Sequence, residues 1–412
     1  MLHMAANRLD LYVPEPLGRP GDTPSFGDLH LSAPGEIRRP DTREKEANMR
    51  DLPYGLIRVL DDEGHAVGPW APHIPIEVLH KGLRAMLLSR AVDERFFRAH
   101  RQGKTSFYMK STGEEAIGVA QSLMLGKGDM CFPTYRMLAW LMARDYPLAA
   151  YANHIFSNEK DPLQGRQLPI LFSAKDYGFY SLSGNLGSRY GHAVGWAMAS
   201  AYKNDDKIAI AYVGDGTTAE GNFHEALTFA SVYHAPCILC VTNNQWAISS
   251  FSGIAGANET TFAAKGIAYG LPSLRVDGND FLAVWAATEW AAQRARANMG
   301  ATLIELFTYR VEGHSTSDDP TKYRPADEAS AWPLGDPVER LKQHLIALGE
   351  WDEGRHTALI ESLAEEVKAA IKQGEAIGTL GKSKPPVSEM FEDVFAEPDW
   401  RIIEQRKQVM EG

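Results

Sequence analysis

Cysteine is scarce: Cys131, Cys237 and Cys240 are the only thiols in 412 residues. An odd, sparse set makes no disulfide framework and fits a reducing compartment. Cys237 and Cys240 spell C-x-x-C, but both lie in the apolar run Cys237–Val241, where residues three apart on a strand point to opposite faces. No second Cys/His pair has ligand spacing, so they read as buried strand cysteines and not as a zinc or redox site. Long apolar runs are also missing, and nothing approaches the ~20 residues that span a bilayer. There is no Lys/Arg block of five or more, and 42 basic against 53 acidic residues leave a formal charge of −11. A nucleic-acid or membrane-surface partner therefore has no electrostatic footprint. The chain does not open on a charged-then-apolar signal. Asp10, Glu15, Asp22 and Asp28 come too early for an acid-poor transit peptide, so the cytoplasm is the expected compartment.

What is present is an ordinary globular composition, 44% hydrophobic and 23% charged, with material for one large α/β domain and extensions. Residues 1–75 are rich in Pro and Gly, charged and aperiodic, with short apolar pieces such as Leu56–Leu60. They predict an extended arm lying on something else, although on composition residues 1–50 could equally stay disordered. From Ile76 to about residue 335 helical periodicity alternates with short apolar strands. The strands are expected at Asp129–Pro133, Lys207–Val213, Pro236–Thr242, Ser273–Val276 and Thr302–Thr308. The helices are expected at Ile76–Gln102, Glu114–Leu125, Arg189–Tyr202, Ala219–Tyr233 and Phe281–Asn298. Such alternation implies an α/β fold: a three-layer, doubly wound parallel sheet with helices on both faces. Residues 336–412 form a helical C-terminal segment, with helices at Val338–Leu348 and His356–Lys372 and a Pro-marked tail.

Chemistry concentrates where the strand ending at Val213 meets Gly214-Asp215-Gly216, because ligands of open α/β sheets bind at the carboxyl ends of strands. Gly214 to Ala219 also fits G-x-G-x-x-A, so a nicotinamide-binding oxidoreductase is a rival reading. Against it, a carboxylate between the glycines would repel a pyrophosphate unless a cation lay between them. The next strand also ends in Asn243-Asn244, where a ribose would want an acid. A metal bridge accounts for the same residues. Asp215 and the Asn244 amide oxygen offer hard ligands, and a backbone carbonyl at Trp246 could complete the set for Mg2+ (or Mn2+), which commonly shares its octahedron with a diphosphate. Gly214 and Gly216 let the backbone approach, and a helix from about Ala219 would aim its N-terminus at the anion.

Gly214-Asp215-Gly216 followed after 26 residues by Asn243-Asn244 resembles the cofactor motif of thiamine diphosphate enzymes: transketolases, pyruvate decarboxylases and 2-oxo acid dehydrogenases. Phe132-Pro133-Thr134-Tyr135-Arg136 is similar to the diphosphate-contacting segment of 2-oxo acid dehydrogenase alpha subunits. Ser183-Gly184-Asn185-Leu186-Gly187 is similar to their segment beside the aminopyrimidine. The run Tyr309–Asp319, with Tyr323-Arg324, resembles the active-site loop of branched-chain members, as does Leu56–Gly64 in the arm; pyruvate-specific members read Met and then Ser-Asp-Pro after the His-Ser. The resemblance covers most of residues 50–380. The chain departs from the pattern in carrying Asp215 where animal branched-chain enzymes have Glu, Trp246 for a more usual Tyr, and Gly184 for a common Ser.

The resemblance implies thiamine diphosphate as cofactor, with Tyr135, Arg136 and Arg310 as phosphate donors and Asp215, Asn244 and Trp246 around the metal. Leu186 would prop the bent cofactor and Gly184 would act through its backbone. His314 would serve as acid–base group or phosphate neighbour, since histidine exchanges protons near neutrality. Ser315 aligns with a regulatory phosphorylation site of animal relatives, but alone it reads as a loop serine. The family's activating glutamate comes from a second α/β domain. Without arm and tail roughly 260 residues remain, enough for one such domain. The expected assembly is thus an α2β2 heterotetramer with a separate beta subunit, passing acyl groups from a small 2-oxo acid to the lipoyl arm of an acyltransferase component. Pyruvate and acetoin dehydrogenase alpha subunits are the nearest alternatives.

Overall fold

The computed structural model describes residues 11–27, 29–380, 382, 386–393 and 395–411. Asp10 and Asp28, used above, lie outside the described residues.

In chain order the elements are α1 (Ile76–Arg101), α2 (Glu115–Met124), β1 (Met130–Phe132), α3 (Ala139–Ala143), α4 (Leu148–Phe156), α5 (Ser188–Tyr202) and β2 (Ala209–Gly214). There follow α6 (Gly221–Val232), β3 (Cys237–Asn243), the two-residue strands β4 (Trp246–Ala247) and β5 (Ser250–Phe251), β6 (Ser273–Asp277), α7 (Phe281–Arg296) and β7 (Thr302–Phe307). The helices α8 (Pro337–Ala347), α9 (Glu353–Ile377) and α10 (Trp400–Glu411) come last. Five strands form one parallel sheet in the order β1-β2-β3-β7-β6.

Side-chain alternation along these strands builds two cores. Ala209, Ala211, Val213, Cys237, Leu239 and Val241 face α5 and α6, whereas Ile210, Tyr212, Ile238, Cys240, Ile304 and Leu306 face α1, α2 and α7. Helices on both faces make the expected three layers. Cys237 and Cys240 fall into different cores and are free, which disposes of a C-x-x-C site. The chain steps outward from β3 to the edge strand β6 and back to β7. A crossover of the same hand then places α7 on the face opposite α6. Among the described residues no helix is long and apolar enough to cross a membrane.

The described part of the arm lies along this sheet. Ile57 N donates to Arg275 O at 2.8 Å and Ile57 O accepts from Asp277 N at 3.0 Å, so the arm adds a parallel bridge outside β6. Trp290 Nε1 donates to Pro40 O at 2.9 Å, and Leu56, Ile57, Val59, Leu60 and Trp70 are buried. Asp280 ties arm to sheet. Its Oδ1 caps α7 through Leu282 N and Ala283 N, and its Oδ2 accepts from Val59 N at 2.8 Å and Leu60 N at 2.7 Å. Asp280→Ala leaves those buried donors without a partner and strips Arg340 of a neighbouring charge. Urea unfolding should show a loss of about 3–5 kcal/mol, and a loss under about 1 kcal/mol would show that the arm docks without this carboxylate.

Candidate active site

Register brings the predicted loops together. Gly214 pairs with Thr242 and Asn243 with Phe307, so β2, β3 and β7 end side by side. The segment Thr308–Arg310 continues past β7, with Thr308 N donating to Asn243 O and Arg310 N to Asn244 O.

Asp215 is 2% exposed. Its Oδ1 accepts from Gly216 N at 2.7 Å, while Oδ2 is buried and has no partner. Burial pushes this acid up to about 7, with the charges of Glu114 and Glu305 adding and Arg310 opposing. Asn244 Nδ2 donates to Glu114 Oε1 at 2.6 Å, and its Oδ1 accepts a longer bond of 3.3 Å from Trp246 N. The Trp246 carbonyl, expected to be open to a metal, accepts from Arg310 Nη1 at 2.8 Å; a carbonyl has a second lone pair. No group of three or more His, Cys, Asp or Glu residues suited to a metal occurs among the described residues. The candidate ligands form a mixed oxygen set of carboxylate, amide and carbonyl.

Opposite the acids stand the bases. Arg310, 1% exposed, also donates to Ile248 O at 2.9 Å and to Tyr323 OH at 2.6 Å, and its nearest carboxylate, Asp318, is 3.9 Å away. Burial and the like charge of Arg136 bring Arg310 down to about 10. Arg136 donates to Lys110 O at 2.7 Å and to His314 O at 2.7 Å, and its Nη2 lies 3.2 Å from His314 Nδ1. A guanidinium only donates, so His314 Nδ1 accepts and Nε2 carries the ring proton. Burial first, then Arg136 and Arg310, push His314 down to about 3. With its ring proton on Nε2, His314 is held as the neutral imidazole in this arrangement. The Tyr135 ring stands edge-on to His314, with centroids 5.8 Å apart.

The Ser183–Gly187 segment forms the other wall. Gly187, at φ +77°, lies so close to α6 that a Cβ would sit 2.9 Å from Asn222 Cβ and 3.7 Å from Thr217 Cγ2. This places the segment beside the glycine turn. Leu186 is 44% exposed, and a Cβ on Gly184 or Gly214 would meet nothing within 4 Å, leaving room on this side. Among the described residues no hydrogen bond links Gly184 or Leu186 to the Asp215–Asn244 side. Gly216 is tight instead, since its Cβ would come within 2.5 Å of Ala247 Cβ. That space belongs to the β4–β5 hairpin, not to a pyrophosphate. A short 3-10 turn, Asp215–Ala219, also separates the glycines from α6, so the helix starts two residues later than predicted and does not open on the glycine turn.

Some functional residues escape sequence reasoning. Glu114, 2% exposed, lies between Asn244 and Arg136 Nε, which is 3.7 Å away; burial raises its pKa and Arg136 opposes. Arg189, also buried, donates to Ser183 O at 2.5 Å and so ties down the Leu186 bend. Asp318 accepts from His314 N and Tyr323 OH and closes the active-site loop on itself. Gly113-Glu114-Glu115 before an apolar helix reads as ordinary first-turn acid; only the fold shows which residue it faces.

The fold and these donors define a class: the chain belongs to the Dehydrogenase E1 component family, whose profile matches residues 83–382. That family is thiamine diphosphate-dependent. Residues 7–46 match a second family, described as 2-oxoisovalerate dehydrogenase E1 alpha subunit N terminal. More particularly, the chain is 56% identical over 402 residues to the 2-oxoisovalerate dehydrogenase subunit alpha of Pseudomonas aeruginosa, covering 97% of this chain and 98% of that one. It is 37% identical to the mitochondrial counterpart of Mus musculus, over 85% of this chain and 79% of the relative. For the mitochondrial alpha 1 subunit of Arabidopsis thaliana the identity is 35%, over 85% and 73%. The family resemblance read from the motifs holds, and the nicotinamide reading falls.

Proposed function

We propose that this chain is the alpha subunit of the decarboxylating component of a branched-chain 2-oxo acid dehydrogenase complex, holding thiamine diphosphate through Mg2+ or Mn2+. One observation carries the cofactor reading. The buried Asp215, whose Oδ2 has no partner, and the buried Arg310, whose nearest carboxylate is 3.9 Å away, flank the buried Glu114–Arg136 pair at 3.7 Å. A metal diphosphate satisfies Asp215 and Arg310 at once. Asp215, Asn244 and the Trp246 carbonyl would hold the metal. Tyr135, Arg136 and Arg310 would hold the phosphates, with Gly184 and Leu186 along the aminopyrimidine side. The bound cofactor supplies a nucleophilic thiazolium carbon and an electron sink for loss of carbon dioxide. His314 then acts as a neutral group offering its Nε2 proton.

Leu186, Ile248 and Ile254 make an exposed apolar rim, and a separate groove of about 540 Å3 between α5 and α6 is lined by Gly191, Gly195, Met198 and Phe229 among others. The relatives are named as alpha subunits, and a beta subunit covering this rim and supplying the activating glutamate completes the reading. The assembly is an α2β2 heterotetramer that passes acyl groups to the lipoyl arm of an acyltransferase component, in the cytoplasm. Co-purified with its beta subunit, the chain should decarboxylate 3-methyl-2-oxobutanoate in preference to pyruvate. A strong preference for pyruvate would reassign it to the pyruvate dehydrogenases.

A further inference from the structure

We infer that Glu114 is a positioning residue that sets which end of the Asn244 amide faces the metal, and that it couples the metal to the phosphate-binding Arg136. The inference rests on the metal-diphosphate reading above.

An asparagine can serve a cation only through Oδ1, yet its two ends have nearly the same shape. The end is chosen by what the other one touches. Here Nδ2 is committed to Glu114 Oε1 by a buried bond of 2.6 Å, leaving Oδ1 with only the longer bond from Trp246 N. The same Glu114 oxygen lies 3.7 Å from Arg136 Nε, and Arg136 in turn holds the His314 carbonyl. One carboxylate thus touches both halves of the clamp. The backbone serves the same end. Gly113, at φ +100°, packs so tightly on β7's extension that a Cβ would come within 2.2 Å of the Tyr309 carbonyl. Thr308 Oγ1 donates to Gly113 O at 2.9 Å. The turn that delivers Glu114 is thereby locked to the strand ends that deliver Asn244 and Arg310.

The test uses the αβ complex, with Mn2+ followed by electron paramagnetic resonance and thiamine diphosphate by its own titration. Glu114→Met should weaken Mn2+ binding in the presence of cofactor by roughly 10- to 100-fold, the range seen when a partner of a metal ligand is removed. Glu114→Gln, which keeps an acceptor oxygen but can present its amide instead, should fall between. The decisive arm is Asn244→Asp, whose two ends are both oxygens. Alone it sets a carboxylate against Glu114 and should bind Mn2+ poorly; in the double variant Glu114→Met/Asn244→Asp binding should recover. A purely structural glutamate would weaken binding equally in both backgrounds, and that result overturns the inference. So does a folded Glu114→Met complex with unchanged Mn2+ affinity. If Asp215→Ala keeps its metal-dependent cofactor binding, the clamp itself is wrong. If Asp215→Ala loses binding while Glu114→Met does not, the Glu114 role alone falls.

Discussion

Asp215→Ala should abolish metal-dependent binding of thiamine diphosphate while leaving the chain folded. Asp215 is the charged member of the proposed ligand set and its Oδ2 has no other partner. Its loss should exceed the roughly 10- to 100-fold that neighbours of a metal ligand cost. Folding should not suffer, because an ionised carboxylate buried beside Glu114 and Glu305 is unfavourable until a cation arrives. The same argument fixes the pH dependence. With the acid raised to about 7 in the metal-free fold, the protonated form is the one the fold favours. Its contribution to stability is present below the unfolded value near 4 and is lost as pH rises through about 7. A cation must displace that proton, so Mg2+ affinity in the presence of cofactor should climb about tenfold per pH unit up to 7 and level off above it. The thermal shift on adding Mg2+ and cofactor should be larger at pH 8 than at pH 6, and Asp215→Asn should erase that difference. Titration calorimetry showing unchanged affinity in Asp215→Ala would remove the metal from the mechanism.

Arg310→Met should do two kinds of damage. The guanidinium binds the carbonyls of Trp246 and Ile248 and the hydroxyl of Tyr323, so it fastens both the hairpin and the active-site loop. Removing it leaves buried acceptors unsatisfied at about 1–3 kcal/mol each. Hydrogen exchange should accelerate at 246–251 and 312–324 before the sheet opens. It also withdraws a buried cation from the proposed phosphate site. Glu312 O, Trp246 O, Ile248 O and Tyr323 OH take four of its five N–H groups, so cofactor affinity should fall by roughly 10-fold, as one charge-assisted bond at about 1.5 kcal/mol implies. Arg310→Lys should not rescue either effect, because an ammonium lacks the planar fork that reaches these acceptors in different directions. A lysine variant with normal affinity would show that only the charge matters.

The contrast between what the residues disclose and what they hide follows from range. All five strands of the main sheet stand within a residue or two of expectation. Strands buried on both faces are near-continuous apolar runs, and Gly or Pro punctuates their ends. Helices with a wet side were legible too, although α9 starts three residues before and ends five residues after the expected His356–Lys372. By contrast α3 and α4 escaped; Ala139–Ala143 is buried throughout and, at five residues, too short to show a helical period. The β4–β5 hairpin is two residues a side and held by Arg310, so local propensity had no part in it. The helix α10 lies beyond the Pro-marked stretch, in what reads as tail. At the site, the placing of Asp215 and Asn244 just past the ends of adjacent strands was visible because each follows an apolar run. Glu114 was not, being 130 positions from Asn244. The protonation state of His314 depends first on its burial and then on Arg136 and Arg310, which arrive from different loops, and no single motif contains that information.

The arm's bridge at Ile57 has a consequence for solubility. An open parallel sheet ends in a row of unpaired amides and carbonyls that invites another chain to add on. Here Ile57 donates to Arg275 and accepts from Asp277, so the β6 margin is sealed by a stretch of the same polypeptide about 220 positions away. A version trimmed back to the start of α1 would keep every residue of the cofactor site and yet carry a raw sheet margin. Self-association, more than lost catalysis, would then be the first sign that the arm had been removed.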